Sequence, residues 1–580
     1  MACNVNVKRP VEVLQAGVES LVPYLQASGE LHDVVFGEPT QYGTPYHAFC
    51  HAVLARYGPE ERCDVHSEQA VRGLRAALAH VSDPSLPATL SSFRRDGLGA
   101  SRTNHRDFFW PPILKSYLIL RELGVSEADD LARQIAAVDV LASFASRPPS
   151  NWSAVWLSGE WLRMRSGLSP FTLEQFDAWL DPFFATHLDL EKGFYHEGGH
   201  PNSYDLFTRV HLSDILLAGY DGRHRADLER LMETGFRRSL GVQLSDGSLA
   251  SAHRSTGQTW TLGAQCAYFT NVANFYADTD PVRADEARRA AWRALASLQR
   301  WQRTDGPFSP VENCLPPAYR VGYEGYTADA HYSSLALGFL ASAVRSGFGA
   351  SPCPQDLARP DGVLIEGDPT YRALVHRGPY SVHLNAFPAR NYDAFGLVDL
   401  TFGPGRWFHF VSSVRRMDSG QRLNIGMACR SEEGRTGNLD VLCGYDFALV
   451  DGLRRGDEPF SLVLEGRAKG AHYTYRMAVS IDDKGVHVDE CTPGRTDYKS
   501  LLIPYLKDPG TGTQTQVEAG PSGVRFRHGD EVVAVTWDAE ASFLLDLPMG
   551  FENRRGLCGL LRVDFPARRE GIAYTVRIVE

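Results

Sequence analysis

What most constrains this chain is a change of hydrophobic period about three-fifths of the way along it. From Val11 to about Arg345, apolar residues recur with the 3.6-residue period of helices, broken by short connections rich in Gly, Pro, Asp and Ser. Beyond Gly347 to Pro354 and Arg359 to Gly362 the period falls to two, in short runs enriched in β-branched and aromatic residues. A helical apolar stripe must be buried against other helices, and an alternating strand against a second layer. The chain is therefore expected to be an α+β multidomain protein, with residues 1–350 helical and 351–580 an antiparallel β-sandwich.

The helical stretches are Ile113 to Leu123, Ala128 to Phe144, Ser153 to Met164, Leu173 to Phe184, Asp205 to Leu217, Ala226 to Phe236, Trp260 to Phe275, Arg283 to Trp301 and Ala330 to Val344. At about 25 to 30 residues per helix and loop, the region holds on the order of twelve helices. Ser150-Asn151 is placed to cap the third stretch, and Ser169 with Pro170 to open the fourth. Consecutive hairpins without a strict repeat disfavour a solenoid and leave open a closed ring. The strands are expected at Tyr380 to Leu384, Gly396 to Phe402, Trp407 to Val414, Tyr473 to Ile481, Gly485 to Glu490, Val532 to Trp537, Phe543 to Leu547 and Ala573 to Val579, with turns at Asp482 to Gly485 and His528 to Asp530.

At 580 residues there is ample apolar surface for more than one core. The formal charge of −11 comes without long runs of one sign, which excludes a nucleic-acid footprint and a polybasic membrane anchor. No segment reaches about eighteen uninterrupted apolar residues and Met1 to Pro10 has no apolar signal core, so a soluble, cytoplasmic protein is expected, secreted or periplasmic if a leader has been trimmed. The ten cysteines are scattered without zinc spacing and read as reduced structural thiols. Neither a phosphate-binding loop nor a G-x-S-x-G elbow occurs.

Chemistry concentrates in polar, glycine-rich loops that each feed an apolar helix. Gly193 to Asp205 packs two His, two carboxylates, two Tyr, an Asn and three Gly into thirteen positions. Asp246 to Trp260 places His253 and Arg254 ahead of a helix start, where an anion is favoured. Gly322 to Tyr332 repeats the Gly, Tyr and carboxylate composition, and Arg147 to Trp152 precedes a helix bearing Trp156, Glu160 and Trp161. In a ring of hairpins such loops can converge at one mouth. Candidate catalytic groups are His196, Glu197, His200, Tyr204, His253 and Tyr326. Candidate substrate-binding groups are Asn151, Trp152, Asn202, Asp205, Arg254, Trp260, Glu324 and His331. His196 and His200 are four apart, but Gly198, Gly199 and Pro201 argue against the helix a zinc pair needs, so no metal or other cofactor is expected. His383, Asn385, Arg390, Asn391 and Tyr392 read as turn and edge residues of the sandwich.

The elements Asp246-Gly247, His253-Arg254-Ser255, Thr259-Trp260, Gly193 to Gly198, Tyr323 to Thr327 and Ala330 to Ala336 resemble the bacterial and fungal proteins grouped as domain of unknown function 2264, over roughly residues 30 to 350. More distantly, the architecture together with Asn151-Trp152 and Asp246 to Ser248 is similar to that of heparinase, chondroitinase and alginate lyase relatives. That resemblance implies an (α/α) toroid, incomplete or of six hairpins, followed by the sandwich, and an enzyme acting on acidic glycans. Three functions follow as expectations. The first is lyase-type β-elimination on a uronate-containing oligo- or polysaccharide, with Arg254, Asn151 and Asn202 binding the carboxylate, His253, His200 or His196 as base, and Tyr204 or Tyr326 as acid. The second is an exo-acting, glucuronidase-like hydrolase with paired carboxylates among Glu197, Asp205, Asp246, Glu324 and Asp329. The third is a non-catalytic glycan-binding protein.

Overall fold

A computed structural model describes residues 6–83, 85–86, 88–92, 101–102, 105–386, 392, 395–410, 424–430, 436–438, 452–467 and 474–579. The helices among them are α1 (Pro10–Leu21), α2 (Gly43–Tyr57), α3 (Cys63–Ser82), α4 (Trp110–Glu122), α5 (Ala128–Ala137), α6 (Val140–Ser143), α7 (Asn151–Arg165), α8 (Leu173–Pro182), α9 (Asn202–Leu217), α10 (Arg225–Val242), α11 (Trp260–Tyr276), α12 (Pro281–Leu298) and α13 (Asp329–Arg345).

Their packing closes a ring. Helices α2, α4, α7, α9, α11 and α13 each touch the next, and α13 returns to α2. These six are buried nearly all round: every residue from Trp110 to Leu120 is buried, as is nearly every residue of α11. A helix apolar on all sides belongs at the centre, while α3, α5, α10 and α12 alternate buried and exposed faces and lie outside. The chain is thus a six-hairpin (α/α) toroid followed by antiparallel sheets.

Three boundaries differ from the sequence expectation. Ala128 to Phe144 is two helices, because Val138 and Asp139 are extended and Asp139 caps α6 by accepting from the amides of Leu141 and Ala142. The helix expected after Ser169 and Pro170 starts at Leu173, capped by Thr172, which accepts from the Gln175 amide while Gln175 accepts from that of Thr172; Ser169 instead donates to Glu160 at 2.6 Å. Of Trp407 to Val414, residues 407–409 are not strand, Phe410 makes one bridge to Tyr505, and 411–414 lie outside the described residues.

The last helix ends at Arg345 and the first strand of the sheets begins at Gly362. The β half forms a four-stranded sheet (362–366, 372–377, 380–385, 396–401), a five-stranded sheet built on the long strands Asp497–Asp508 and Gly556–Arg569, and an eight-stranded sheet ending on Leu453–Arg455 and Gln516–Gly520. The four-stranded sheet lies between ring and sandwich. Ala373, Val375, Val382 and Leu384 join the sandwich core, while Leu374 joins the helical core and His376 bonds the carbonyl of Gly241. With both faces covered, its strands 380–385 and 396–401 are buried throughout instead of in alternation, while the edge strand 362–366 stays partly exposed. His383 and Asn385 are therefore interior residues, not edge residues; Arg390 and Asn391 lie outside the described residues. Among the described residues no helix is long and apolar enough to cross a membrane.

Candidate active site

The six inner helices all begin at the same end of the ring, and their first turns surround a cavity of about 400 Å³. Tyr42 caps α2, Phe108 precedes α4, Asn151 and Trp152 open α7, Tyr204 and Phe207 lie in the first turns of α9, Trp260 opens α11, and Tyr332 and Leu335 stand on α13. Gln41, Ser91, His105, Glu197, Arg254 and Tyr326 complete the described lining from the loops. Six helix N-termini give the cavity a partial positive field from backbone dipoles. Its walls are aromatic: Tyr42 stacks on Phe108 at 4.5 Å, Trp152 packs 4.8 Å from His105, and Tyr204 stacks on Trp260 at 6.2 Å.

Glu197 is the focus of the polar groups. Its carboxylate accepts from Asn151 Nδ2 at 2.5 Å and pairs with Arg254 Nη2. The Arg254 guanidinium sits 4.9 Å over the Tyr204 ring. Ser255 Oγ donates to the Tyr204 oxygen at 3.1 Å and lies 2.8 Å from that of Tyr326, whose proton goes to Glu324; the Ser255 amide donates to the other Glu324 oxygen at 2.6 Å. Burial pushes the Tyr204 phenol up to about 12, against the Ser255 hydrogen bond and Arg254, and lifts Tyr326 well above the ordinary phenol range. Burial draws His105 down to about 4, so the ring is neutral near pH 7. Among the described residues the His105 Nδ1, Asn151 Oδ1 and Arg254 Nε have no hydrogen-bond partner.

The loops that carry these groups are held in uncommon backbone conformations. His200, His253 and Ser255 have φ of 51°, 59° and 61°. Gly199 is required where it stands: its φ is 83°, and a Cβ there would meet the His253 ring at 2.3 Å.

Of the residues singled out in the sequence, Asn151, Trp152, Glu197, Tyr204, Arg254, Trp260 and Tyr326 share the one cavity. Glu324 and His331 lie directly behind it, His331 against the Tyr326 carbonyl at 3.1 Å. His196, His200 and His253 fall outside the described lining; His253 faces Tyr392 of the β half at 4.4 Å. Asn202 and Asp205 are buried supports. Asp205 accepts from Arg209, from Arg238 at 2.6 Å and from the Tyr195 amide, and Asn202 Oδ1 accepts from Arg238 and from Arg372 of the four-stranded sheet. Asp246 pairs with Arg555 and Asp329 with Arg303, both away from the cavity. Sequence reasoning missed Gln41, Tyr42, Ser91, His105 and Tyr332. The stretches Gln41 to His47 and Asn104 to Asp107 carry the same Tyr, His and Asn composition ahead of apolar helices, and that was the available signal. A larger groove, about 650 Å³, crosses the eight-stranded sheet by Arg476, His487 and Asp538, but brings together none of these residues. Among the described residues no three His, Cys, Asp or Glu side chains converge as a metal site.

No protein-family profile and no curated protein matches this sequence, so the resemblance to domain of unknown function 2264 finds no support. Solved structures do match. A Paenibacillus xanthan lyase is 10% identical with a TM-score of 0.50, covering 98% of this chain, which spans 57% of that protein. The Streptomyces coelicolor A3 chondroitin AC lyase in complex with chondroitin sulphate is 12% identical with a TM-score of 0.49 over 98% of this chain and 79% of that one. Heparinase III is 10% identical with a TM-score of 0.45 over 100% and 86%. At 10% identity the likeness to the xanthan lyase is one of fold alone.

Proposed function

We propose that this protein cleaves a glycosidic bond next to a uronate residue by β-elimination. The observation that carries this reading is the buried Tyr204 phenol, set beneath the Arg254 guanidinium and receiving a hydrogen bond from Ser255, in a cavity whose described lining holds a single carboxylate. Most glycoside hydrolysis uses two carboxyl groups across the scissile bond. Glu197 is the one in the described lining, and Glu324 is committed behind it to Ser255 and Tyr326. The fold shared with the xanthan lyase adds an analogy at the level of architecture.

Elimination asks for three tasks. Asn151 and Arg254 converge on the Glu197 carboxylate at the cavity wall and are the groups placed beside the sugar's C6 carboxyl group. His105, neutral and with Nδ1 unengaged among the described residues, takes the proton from C5. The C5–H electrons form the C4–C5 double bond, the C4–oxygen bond breaks, and Tyr204, whose own proton is not used in its contact with Ser255, protonates the leaving oxygen. A phenol held near 12 keeps that proton at neutral pH. Negative charge that develops on the carboxyl group faces six helix N-termini, a field already oriented before reaction. The aromatic walls offer stacking faces for sugar rings.

The test is to incubate the protein with uronate-containing oligosaccharides and record ultraviolet absorbance of the 4,5-unsaturated product alongside new reducing ends. Both should rise together. Reducing ends without the absorbance would replace elimination by hydrolysis.

A further inference from the structure

Arg254 and Glu197 are the only charged side chains among the described lining residues, and they are paired with each other. Among the described residues the cavity therefore carries no uncompensated cation. A free uronate entering it would either give up its hydration without a full counter-charge or displace Glu197 from both Asn151 and Arg254. Among the described residues two buried groups beside that pair have no partner: Asn151 Oδ1, an acceptor on a side chain more than nine-tenths buried, and Arg254 Nε, a donor. One acceptor and one donor suit a hydroxyl and a carbonyl oxygen, both uncharged.

We propose that the cavity receives the C6 carboxyl group in uncharged form, as an ester, with Glu197 the residue that sets this specificity. This rests on the elimination reading above and names its substrate class. The ester carbonyl accepts from Arg254 Nε, a neighbouring sugar hydroxyl donates to Asn151 Oδ1, and the ester alkyl group meets the aromatic wall of Trp152 and Tyr204. The chemistry agrees. A proton next to an ester is far more acidic than one next to a carboxylate, whose removal places a second negative charge on the same group. A base as weak as His105 is adequate for the first and poor for the second. Elimination from the ester turns a neutral ground state into a singly charged transition state, so the helix N-termini favour the transition state more than the bound substrate.

Binding is measured with two probes, a methyl glucuronoside as the free acid and as its methyl ester, against the wild-type protein and Glu197→Gln, by ligand-observed NMR titration. The wild type should prefer the ester by roughly tenfold or more. Glu197→Gln, nearly isosteric, should free Arg254 and turn the preference toward the acid. Equal binding of the two probes, no binding of either, or an unchanged ratio in Glu197→Gln overturns the proposal. The wild-type comparison needs no variant to fold. Activity on methyl-esterified and de-esterified oligouronides separates the two readings. Ester-selective binding with no unsaturated product ends the elimination reading and leaves this one standing. Unsaturated product formed faster from the free acid does the reverse.

Discussion

Tyr204 and Asp205 are neighbours in sequence with opposite fates, and the reason is helix geometry. Asn202 and Asp205 are three apart on α9 and share a face, so both meet Arg238; Tyr204 is rotated about 100° from Asp205 and meets the cavity. Composition alone located the loop but not the rotation, because every polar residue in it satisfies the same pattern. The phase of α9 depends on its start at Asn202, and the apolar period identified only its continuation from Asp205. Two substitutions separate the roles. Tyr204→Phe removes the proposed acid and should lower kcat by roughly 10²- to 10⁴-fold with little change in unfolding midpoint, measured by product absorbance and thermal melting. Turnover within threefold of wild type would remove Tyr204 from the chemistry. Asp205→Ala leaves Arg209 and Arg238 buried beside an empty site and should cost about 3–5 kcal/mol in denaturant unfolding, part of it recovered because Arg238 keeps Glu366.

At the scale of elements, the helices were legible because their period is strong, and their assignment to inner or outer positions was legible in principle from how much of each circumference is apolar. The N-terminal third was harder to read. Helix α2 carries His47, His51 and a Cys within an otherwise largely apolar run, which dilutes the hydrophobic signal of a helix that is in fact buried from Gly43 to Ala55. The polar atoms are partly accommodated: His51 Nδ1 lies 2.8 Å from His66 Nδ1 on α3, His47 Nε2 lies 3.5 Å from the Val18 carbonyl, and the His47 ring is 4.7 Å from that of His51. Burial lowers all three, His47 to about 4, with Arg62 and Arg72 adding to the effect on His51. A histidine held neutral in the fold but free to protonate when unfolded loses stability as pH falls from 6.5 towards its folded value. For His47 that amounts to about 2 kcal/mol between pH 7 and pH 5. Buried Asp107 and Asp329, raised to about 6, tilt the other way, but equally in any variant of His47. Denaturant unfolding of wild type and His47→Gln at the two pH values should show the wild type losing about 2 kcal/mol more than the variant. Parallel losses would mean that His47 is already charged in the fold.

Across the whole molecule, the change of period marked where helices give way to strands, yet gave no sign that the β half completes the helical half. Its interleaved sheet presents Arg372 to Asn202 and to the His200 carbonyl, and Asp399 to Ser251, on the loops that carry the site. Such contacts pair residues more than a hundred positions apart, and no local pattern encodes them. One group of them is ionic. Arg555, in the turn joining two strands of the five-stranded sheet, reaches Asp246 at 3.4 Å and Glu312 at 3.2 Å in the helical half, and donates to His409 at 2.7 Å. Burial raises Glu312 above the ordinary carboxyl range, and Arg555 is the main force holding it down. Arg555→Met keeps the length of the side chain and removes that charge, which should cost about 3–5 kcal/mol at neutral pH. The pH dependence of the loss is the sharper measurement. With its counter-charge gone, Glu312 stays protonated in the fold to higher pH, and a carboxyl whose folded pKa is raised is fully accommodated below its unfolded value near 4.5 and progressively destabilising as pH rises through the folded one. Urea unfolding of Arg555→Met against wild type should therefore give a small deficit at pH 5 and the full deficit at pH 8. A deficit of the same size at both would mean that Arg555 acts by packing between the two halves and not by charge.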